Sequence, residues 1–136
     1  IIGFAKAAEL ARSDLASRSQ RLEGLRNQLW ESLKQRQPTL LLNGHAMARL
    51  PHNLNITIPG VSGSKLHRAL RSRVACSSGS ACSRGEPSHV LMALGHSRQE
   101  AEASLRLSLG RSTSDRDIDQ AIEAINDVIH QLRHKP

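Results

Sequence analysis

The sequence has almost no aromatic residues: it contains one Phe, one Trp and no Tyr among its 136 residues. A folded core made from this composition must be aliphatic, built from Leu, Ile, Val and Ala. The chain also has no run of about 18 apolar residues, so no segment is predicted to cross a membrane. Its two cysteines are too few for a secreted disulfide scaffold, which indicates a reducing compartment such as the cytoplasm.

The sequence is strongly basic, and its positive charge comes mainly from Arg. The formal net charge is +7, and most of the basic residues are Arg rather than Lys. Proteins that grip single-stranded nucleic acid combine basic residues with aromatic stacking platforms, and these are almost absent here. The Arg residues are also spread over several segments. Direct nucleic-acid binding is therefore not expected, and the pattern favours solvated helix faces and attraction to an acidic partner.

One long amphipathic helix is predicted for residues 2–36. Leu residues recur along one side of it, polar residues fill the other side, and Pro38 ends it. At 1.5 Å per residue such a helix would be about 50 Å long, longer than a small domain is wide. The chain begins with Ile1, in the middle of this pattern. We therefore expect a piece of a longer protein, in which residues 1–38 link to a further, large domain.

Residues 39–136 alternate between short strand and helix patterns and are predicted to form one small domain. The predicted strands are Leu40–Asn43, Asn53–Ile58, Val74–Cys76 and Leu105–Leu109. The predicted helices are Ser64–Ser72 and three more that start at Pro87, Ser97 and Ser114. A small, mostly antiparallel sheet covered by helices is the economical arrangement for this order, an α/β two-layer sandwich.

Two patterns superficially indicate phosphate or metal binding. GVSGSKL, residues 60–66, lacks the spacing of a phosphate-binding loop and reads as a turn that starts a helix. Two cysteines and two histidines form C-x5-C-x6-H-x6-H: Cys76, Cys82, His89 and His96. That spacing matches no common zinc motif. His130 and His134 lie four residues apart on the last helix, near its solvated end. No metal site is predicted.

The two cysteines have different settings. Cys76 ends an apolar segment and is predicted to be a small buried hydrophobe. Cys82 lies in a loop rich in Ser and Gly, where natural surfaces avoid a thiol unless its reactivity is used. Arg84 and the helix start near Pro87 both favour the thiolate form. The residues predict a reactive Cys82 without saying what it reacts with.

A family resemblance supplies that chemistry. SSGSAC, EPSHVLMALG and SLRLSLGRSTSDRDID together resemble the C-terminal part of cysteine desulfurases, pyridoxal-phosphate enzymes of the NifS/IscS type in the class V aminotransferase family. The resemblance extends from IIGFAKAAELA to the final helix, and SSGSAC is similar to the loop of the long-loop group. It implies the C-terminal small domain of a fold-type I pyridoxal-phosphate enzyme, a homodimer when complete, with a catalytic loop at residues 77–86.

The resemblance also implies roles for two residues. Cys82 would be the catalytic nucleophile, which takes sulfur from L-cysteine as a persulfide while L-alanine is released. Arg106 would bind the substrate carboxylate, which a guanidinium can meet at both oxygens. The sulfur would pass to an acceptor, such as an iron–sulfur scaffold protein, or into thio-cofactor or tRNA synthesis. None of the four lysines, Lys6, Lys34, Lys65 and Lys135, has the family's Schiff-base setting. Pyridoxal phosphate is therefore expected to bind the large domain, leaving this chain alone inactive.

Two other functions remain open at this point. One is a basic binding module for an acidic sulfur acceptor or for tRNA, whose salt-sensitive binding would survive the change Cys82→Ser. The other is a related lyase that acts on cysteine, cystine or selenocysteine. The well-formed SSGSAC loop is needed less by a simple lyase, and therefore favours the desulfurase.

Overall fold

The computed structural model describes residues 1–77 and 86–134. Its helices are α1 (Ile2–Ser13), α2 (Leu15–Arg36), α3 (Gly63–Leu70), α4 (His89–Ala93), α5 (Arg98–Glu102) and α6 (Asp115–His134). Its strands are β1 (Leu41–Leu42), β2 (Asn53–Thr57) and β3 (Ser104–Ser108). None of the helices in these ranges is long and apolar enough to span a bilayer.

The three strands form one antiparallel sheet in the order β1-β2-β3. Leu42 lies opposite Ile56, and Leu54 lies opposite Leu107. Because side chains alternate along a strand, this register places the apolar residues of β2 and β3 on the same face. Helices α2 and α6 pack against each other, and α3 packs against α6. The predicted α/β sandwich, with its small antiparallel sheet, is confirmed.

The core is aliphatic, as the composition requires. Helix α2 contributes four leucines spaced three or four residues apart: Leu22, Leu25, Leu29 and Leu33. Helix α6 contributes a face of four isoleucines: Ile118, Ile122, Ile125 and Ile129. Both stripes are buried together with β2 and β3. The positions recur at the helical period, so each helix presents one apolar face to the sheet.

The long N-terminal helix is interrupted, which corrects the prediction of one continuous helix over 2–36. Asp14 has φ −114° and ψ 11°, and α2 begins immediately after it. The Asp14 carboxylate pairs with Arg18 of α2 and with Arg111, which follows β3. The interruption therefore coincides with a contact to a residue that is distant in the chain. Helix α1 is exposed along its whole length, whereas α2 belongs to the core.

The predicted strand Val74–Cys76 is wrong within the described residues. The chain turns after α3, and the Val74 N–H still bonds to the Leu70 carbonyl, at 2.9 Å. Its donor is therefore used by the helix end rather than by a strand partner. Only Ser77 reaches the sheet, where it forms an isolated bridge with Arg106.

Helix caps agree with the sequence patterns. Ser97 and Glu100 form the predicted capping box at the start of α5. Ser114 and Asp117 bond in the same reciprocal way at the start of α6. The helix predicted from Pro87 begins two residues later, because Ser88 acts as its N-cap.

A buried polar network ties the three strands together. The Thr57 hydroxyl donates to the Asn43 side-chain oxygen at 3.0 Å and lies 2.8 Å from the Ser104 hydroxyl. Asn43 in turn donates to the Asn55 side-chain oxygen at 2.8 Å. Ser104 also donates to the Glu100 carbonyl. Since every member has a partner, the network fixes how β2 and β3 sit relative to α5.

Candidate functional site

Arg106 lies in the middle of β3, opposite Asn55 of β2. Its neighbours Leu105 and Leu107 are buried, whereas Arg106 is exposed. Within the described residues, its guanidinium has neither an ion pair nor a side-chain hydrogen bond. A planar guanidinium held on a strand and left open to solvent suits the binding of a carboxylate through two parallel N–H groups.

Both backbone groups of Arg106 are bonded to Ser77. The Arg106 N–H donates to the Ser77 carbonyl at 2.7 Å, and the Ser77 N–H donates to the Arg106 carbonyl at 3.0 Å. Ser77 is the first residue of the loop assigned to 77–86. The base of that loop is therefore joined directly to the residue that the sequence predicts to bind substrate.

The other end of the loop is also attached. Glu86 accepts from Arg98 of α5 at 3.0 Å, and Arg98 also pairs with Glu102. Ser88 then caps α4 by accepting from the Leu91 N–H. Cys82 and Arg84 lie between these two ends and fall outside the described residues, so the structure leaves the assignment of Cys82 untested.

Cys76, predicted to be a small buried hydrophobe, is half-buried. Its thiol is free and packs against the edge of the aliphatic core. Partial burial raises the pKa of the Cys76 thiol, because the thiolate would lose solvation. This setting favours a protonated, slowly reacting thiol.

The described lysines do not fit a pyridoxal-phosphate site. Lys6 pairs with Glu9 on the exposed helix α1. Lys34 donates to the carbonyls of Pro38 and Leu40, at 2.7 and 2.8 Å. Lys65 is exposed on α3. None of the three lines the cavities that include Leu29, Asp14 or Asn43 in the described part of the chain.

Metal ligands do not converge in the part of the chain that the structure describes. No group of three or more His, Cys, Asp or Glu side chains is close enough there to hold an ion. His130 and His134 do lie together on α6, with ring centroids 4.4 Å apart. The C-x5-C-x6-H-x6-H pattern includes Cys82 and so falls partly outside the described residues.

Two contacts that position this site have no signal in the sequence. The pairing of Ser77 with Arg106 joins residues far apart in the chain, and so does the close approach of Gly63 to the Glu102 backbone. A single Ser or Gly in a loop-like stretch does not identify its distant partner. The GVSGSKL segment does start α3, as predicted, with Ser62 at the N-cap.

Known proteins resemble this chain over nearly its whole length. Cysteine desulfurase IscS of Shewanella baltica strain OS155 is 42% identical over 135 residues, which are 98% of this chain and 33% of that protein. Cysteine desulfurase IscS of Photorhabdus laumondii is 43% identical over the same share of each chain. The chain thus spans about a third of the length of these curated relatives.

Solved structures agree with the sequence relatives. The X-ray structure of a NifS-like protein from Rickettsia africae superposes with a TM-score of 0.83 at 29% identity. It covers 94% of this chain and 33% of the Rickettsia chain. A second structure, described as a NIFS-like protein, gives a TM-score of 0.82 at 25% identity. The Aminotransferase class-V profile matches residues 1–121, and the chain therefore belongs to the class-V aminotransferase family.

Proposed function

We propose that this chain is the C-terminal part of a cysteine desulfurase that uses pyridoxal phosphate. Cys82 takes sulfur from L-cysteine, and Arg106 binds the carboxylate of that substrate. The observation that carries the proposal is the pair of backbone hydrogen bonds between Ser77 and Arg106. It joins the base of the thiol-bearing loop to the strand that presents the guanidinium.

The number of residues between Ser77 and Cys82 limits how far the thiol can lie from Arg106. Cys82 follows Ser77 by five residues, so their Cα atoms lie at most about 18 Å apart. This tether permits the thiol to meet a substrate held at Arg106. It also permits the thiol to present its sulfur to an acceptor protein, because both ends of the loop are fixed at surface positions.

The proposed step balances in atoms and electrons. The Cys82 thiolate attacks the sulfur of L-cysteine, so an S–S bond forms and the Cβ–S bond breaks. The electron pair of the broken bond stays on Cβ, which takes up a proton and leaves as part of L-alanine. Cys82 becomes a persulfide. Pyridoxal phosphate, when bound, supplies the electron sink that weakens the Cβ–S bond, and we place its ligands in a large domain outside this chain.

The remaining assignments are proposals of the same kind. We place the enzyme in the cytoplasm, where reducing conditions keep Cys82 available as a thiol. We also propose that the complete enzyme is a homodimer and that residues 1–38 link the two domains. The sulfur acceptor is a protein such as an iron–sulfur scaffold or a carrier for thio-cofactor or tRNA synthesis.

The decisive experiment follows sulfur on the complete enzyme. With L-cysteine, we expect one alanine per sulfur transferred and a mass increase of one sulfur atom on the peptide that contains Cys82. Cys82→Ser should abolish the persulfide, whereas the matched variant Cys76→Ser should retain it. Sulfide and pyruvate produced without any persulfide would instead identify a related lyase.

A further inference from the structure

Most of the basic side chains in the described part of the chain already have partners. Those with neither an ion pair nor a side-chain hydrogen bond there are Arg12, Lys65, Arg68, Arg71, Arg106 and Arg116. Arg106 belongs to the site described above. Three others, Lys65, Arg68 and Arg71, lie on α3 or directly after it, and all three are exposed.

These three cations form one basic stripe. They are spaced three residues apart, which places neighbours in sequence on adjoining turns of one side of a helix. Leu66 and Leu70 are fully buried and hold the opposite side of α3 in the core. The stripe therefore faces solvent on a helix that is fixed to the fold.

Nearby acidic residues do not neutralise the stripe. Asp127 of α6 forms an ion pair with Arg73, at 2.7 Å. Glu102 of α5 forms an ion pair with Arg98, at 3.0 Å. The first turn of α3 contains no acidic residue. The positive charge is consequently directed at whatever approaches from solution.

The helix itself accounts for only part of the stripe. Arg68 lies in the last turn of α3 and Arg71 follows it, where cations stabilise the carbonyl end of a helix. Lys65 lies near the first turn, where the exposed N–H groups make a cation unfavourable. Helix stability therefore does not account for the charge of Lys65.

A cavity lies just after the basic stripe in the chain. It has a volume of about 300 Å³ and is lined in part by Arg73, two residues after Arg71. Its lining also includes the apolar residues Val74, Leu107 and Ile118 and the polar residue Asp117. Apolar pockets beside charged surfaces accept the anchor side chains that carry most binding energy in protein interfaces.

We propose that the basic stripe and this cavity form the docking surface for an acidic protein segment that carries an apolar anchor. The identification of that protein as the sulfur acceptor rests on the proposed function. The surface lies on the chain that leads directly into the thiol loop through Ser77. A nucleic acid fits less well, because the stripe extends only about 9 Å along α3.

The test is a binding titration on the chain itself. The probes are a fluorescein-labelled peptide of glutamates around one central leucine, the same peptide with alanine at its centre, and an RNA duplex. The test variant is Lys65→Glu with Arg68→Glu, and the matched control is Lys6→Glu with Arg12→Glu on the exposed helix α1. Each pair reverses two exposed cations of one helix, one of them in its last turn, so both pairs change the net charge alike.

At low salt we expect the test variant to bind the leucine peptide about tenfold more weakly, about 1.4 kcal/mol. The control should stay within about twofold, and the alanine peptide should bind more weakly than the leucine peptide. Equal losses in both variants would show a net-charge effect and overturn the docking surface, as would no loss in either. If the RNA duplex binds more tightly than the leucine peptide and the test variant loses that binding, the proposal of a protein partner is wrong.

If the test variant does not fold, Lys65→Gln with Arg68→Gln replaces it, against Lys6→Gln with Arg12→Gln. The titration involves no sulfur chemistry. Its failure therefore leaves the persulfide on Cys82 intact as a proposal, and the absence of a persulfide would leave the docking surface standing.

Discussion

Gly63 is the position where the smallest substitution should have the largest effect on this fold. It is the first residue of α3, and an added Cβ would overlap the Glu102 carbonyl oxygen and lie 2.5 Å from its carbonyl carbon. Real Cβ atoms essentially never approach other atoms within 3.0 Å. Relief of the carbon contact alone requires a shift of about 0.5 Å (3.0 − 2.5), and relief of the oxygen contact requires more.

Any such shift costs free energy, because the opposing atoms belong to the backbone and not to a flexible side chain. Glu102 ends α5, the Ala103 carbonyl accepts from the Ile58 N–H at 3.0 Å, and Ser104 begins β3 within the buried polar network. Overpacking a core typically costs about 1–3 kcal/mol. For a backbone clash we expect the upper part of that range, so Gly63→Ala should destabilise the chain by about 2–3 kcal/mol.

Gly24 is the matched control. It lies in α2, is exposed, and an added Cβ there meets nothing within 4 Å. Gly24→Ala should stabilise the chain by about 0.5–1 kcal/mol, because Ala is the better helix former. The same chemical change should thus have opposite signs at two helical glycines.

Thermal unfolding followed by far-UV circular dichroism measures both variants. A change of 1 kcal/mol should shift the melting temperature of a chain of this size by about 3–5 °C. We expect a clear decrease for Gly63→Ala and a small increase for Gly24→Ala. A Gly63→Ala chain as stable as the original would refute the close approach of α3 to the Glu102 backbone, and with it the packing that fixes the start of β3.

Four further predictions concern the site and its surroundings. In the complete enzyme, Arg106→Ala should raise KM for L-cysteine by about 10–100-fold, because a charge-assisted hydrogen bond contributes about 1.5–3 kcal/mol; an unchanged kcat/KM would exclude Arg106 as the carboxylate ligand. A limiting dose of iodoacetamide at neutral pH should label Cys82 before Cys76, whose pKa is raised by burial; peptide mapping that finds Cys76 labelled first would contradict this order. The pKa of His67 is lowered by burial, despite its contact with the Ser104 carbonyl, so folding should lose stability as the pH falls below about 6.5. His67→Gln should reduce that loss. If urea unfolding gives the same change in stability between pH values above and below about 6.5 for both proteins, the prediction is wrong. Finally, the chain alone should not bind pyridoxal phosphate stoichiometrically, and a borohydride-stable adduct on one lysine would contradict this.

The part of the site that was predictable from sequence is the local part. Alternation along SLRLSL placed Arg106 on the solvent face of a strand between two buried leucines, because neighbouring side chains in a strand must point to opposite faces. The capping box of Ser97 and Glu100 was equally visible, since its two partners are three residues apart. Cys82 was singled out by the polarity of its loop and remains a prediction.

The two wrong predictions, the continuous helix over 2–36 and the strand Val74–Cys76, concern segments that contact other parts of the chain. The helix over 2–36 contains no Pro to interrupt it, and the interruption occurs at Asp14, whose carboxylate pairs with the distant Arg111. Val74–Cys76 has the composition of a strand, but its first N–H is used by the end of α3. Neither competitor can be recognised from the residues next to the affected segment.

The sequence by itself determined the aliphatic core, the amphipathic helices and the exposed position of Arg106, because periodicity and capping act over a few residues. Tertiary structure alone decided which edge of β3 receives Ser77, how closely α3 approaches the Glu102 backbone, and which cations remain without partners. These depend on how the elements are brought together in space. A hydrogen bond or an ion pair between residues tens of positions apart forms only after the sheet and helices have packed, and no local pattern records it.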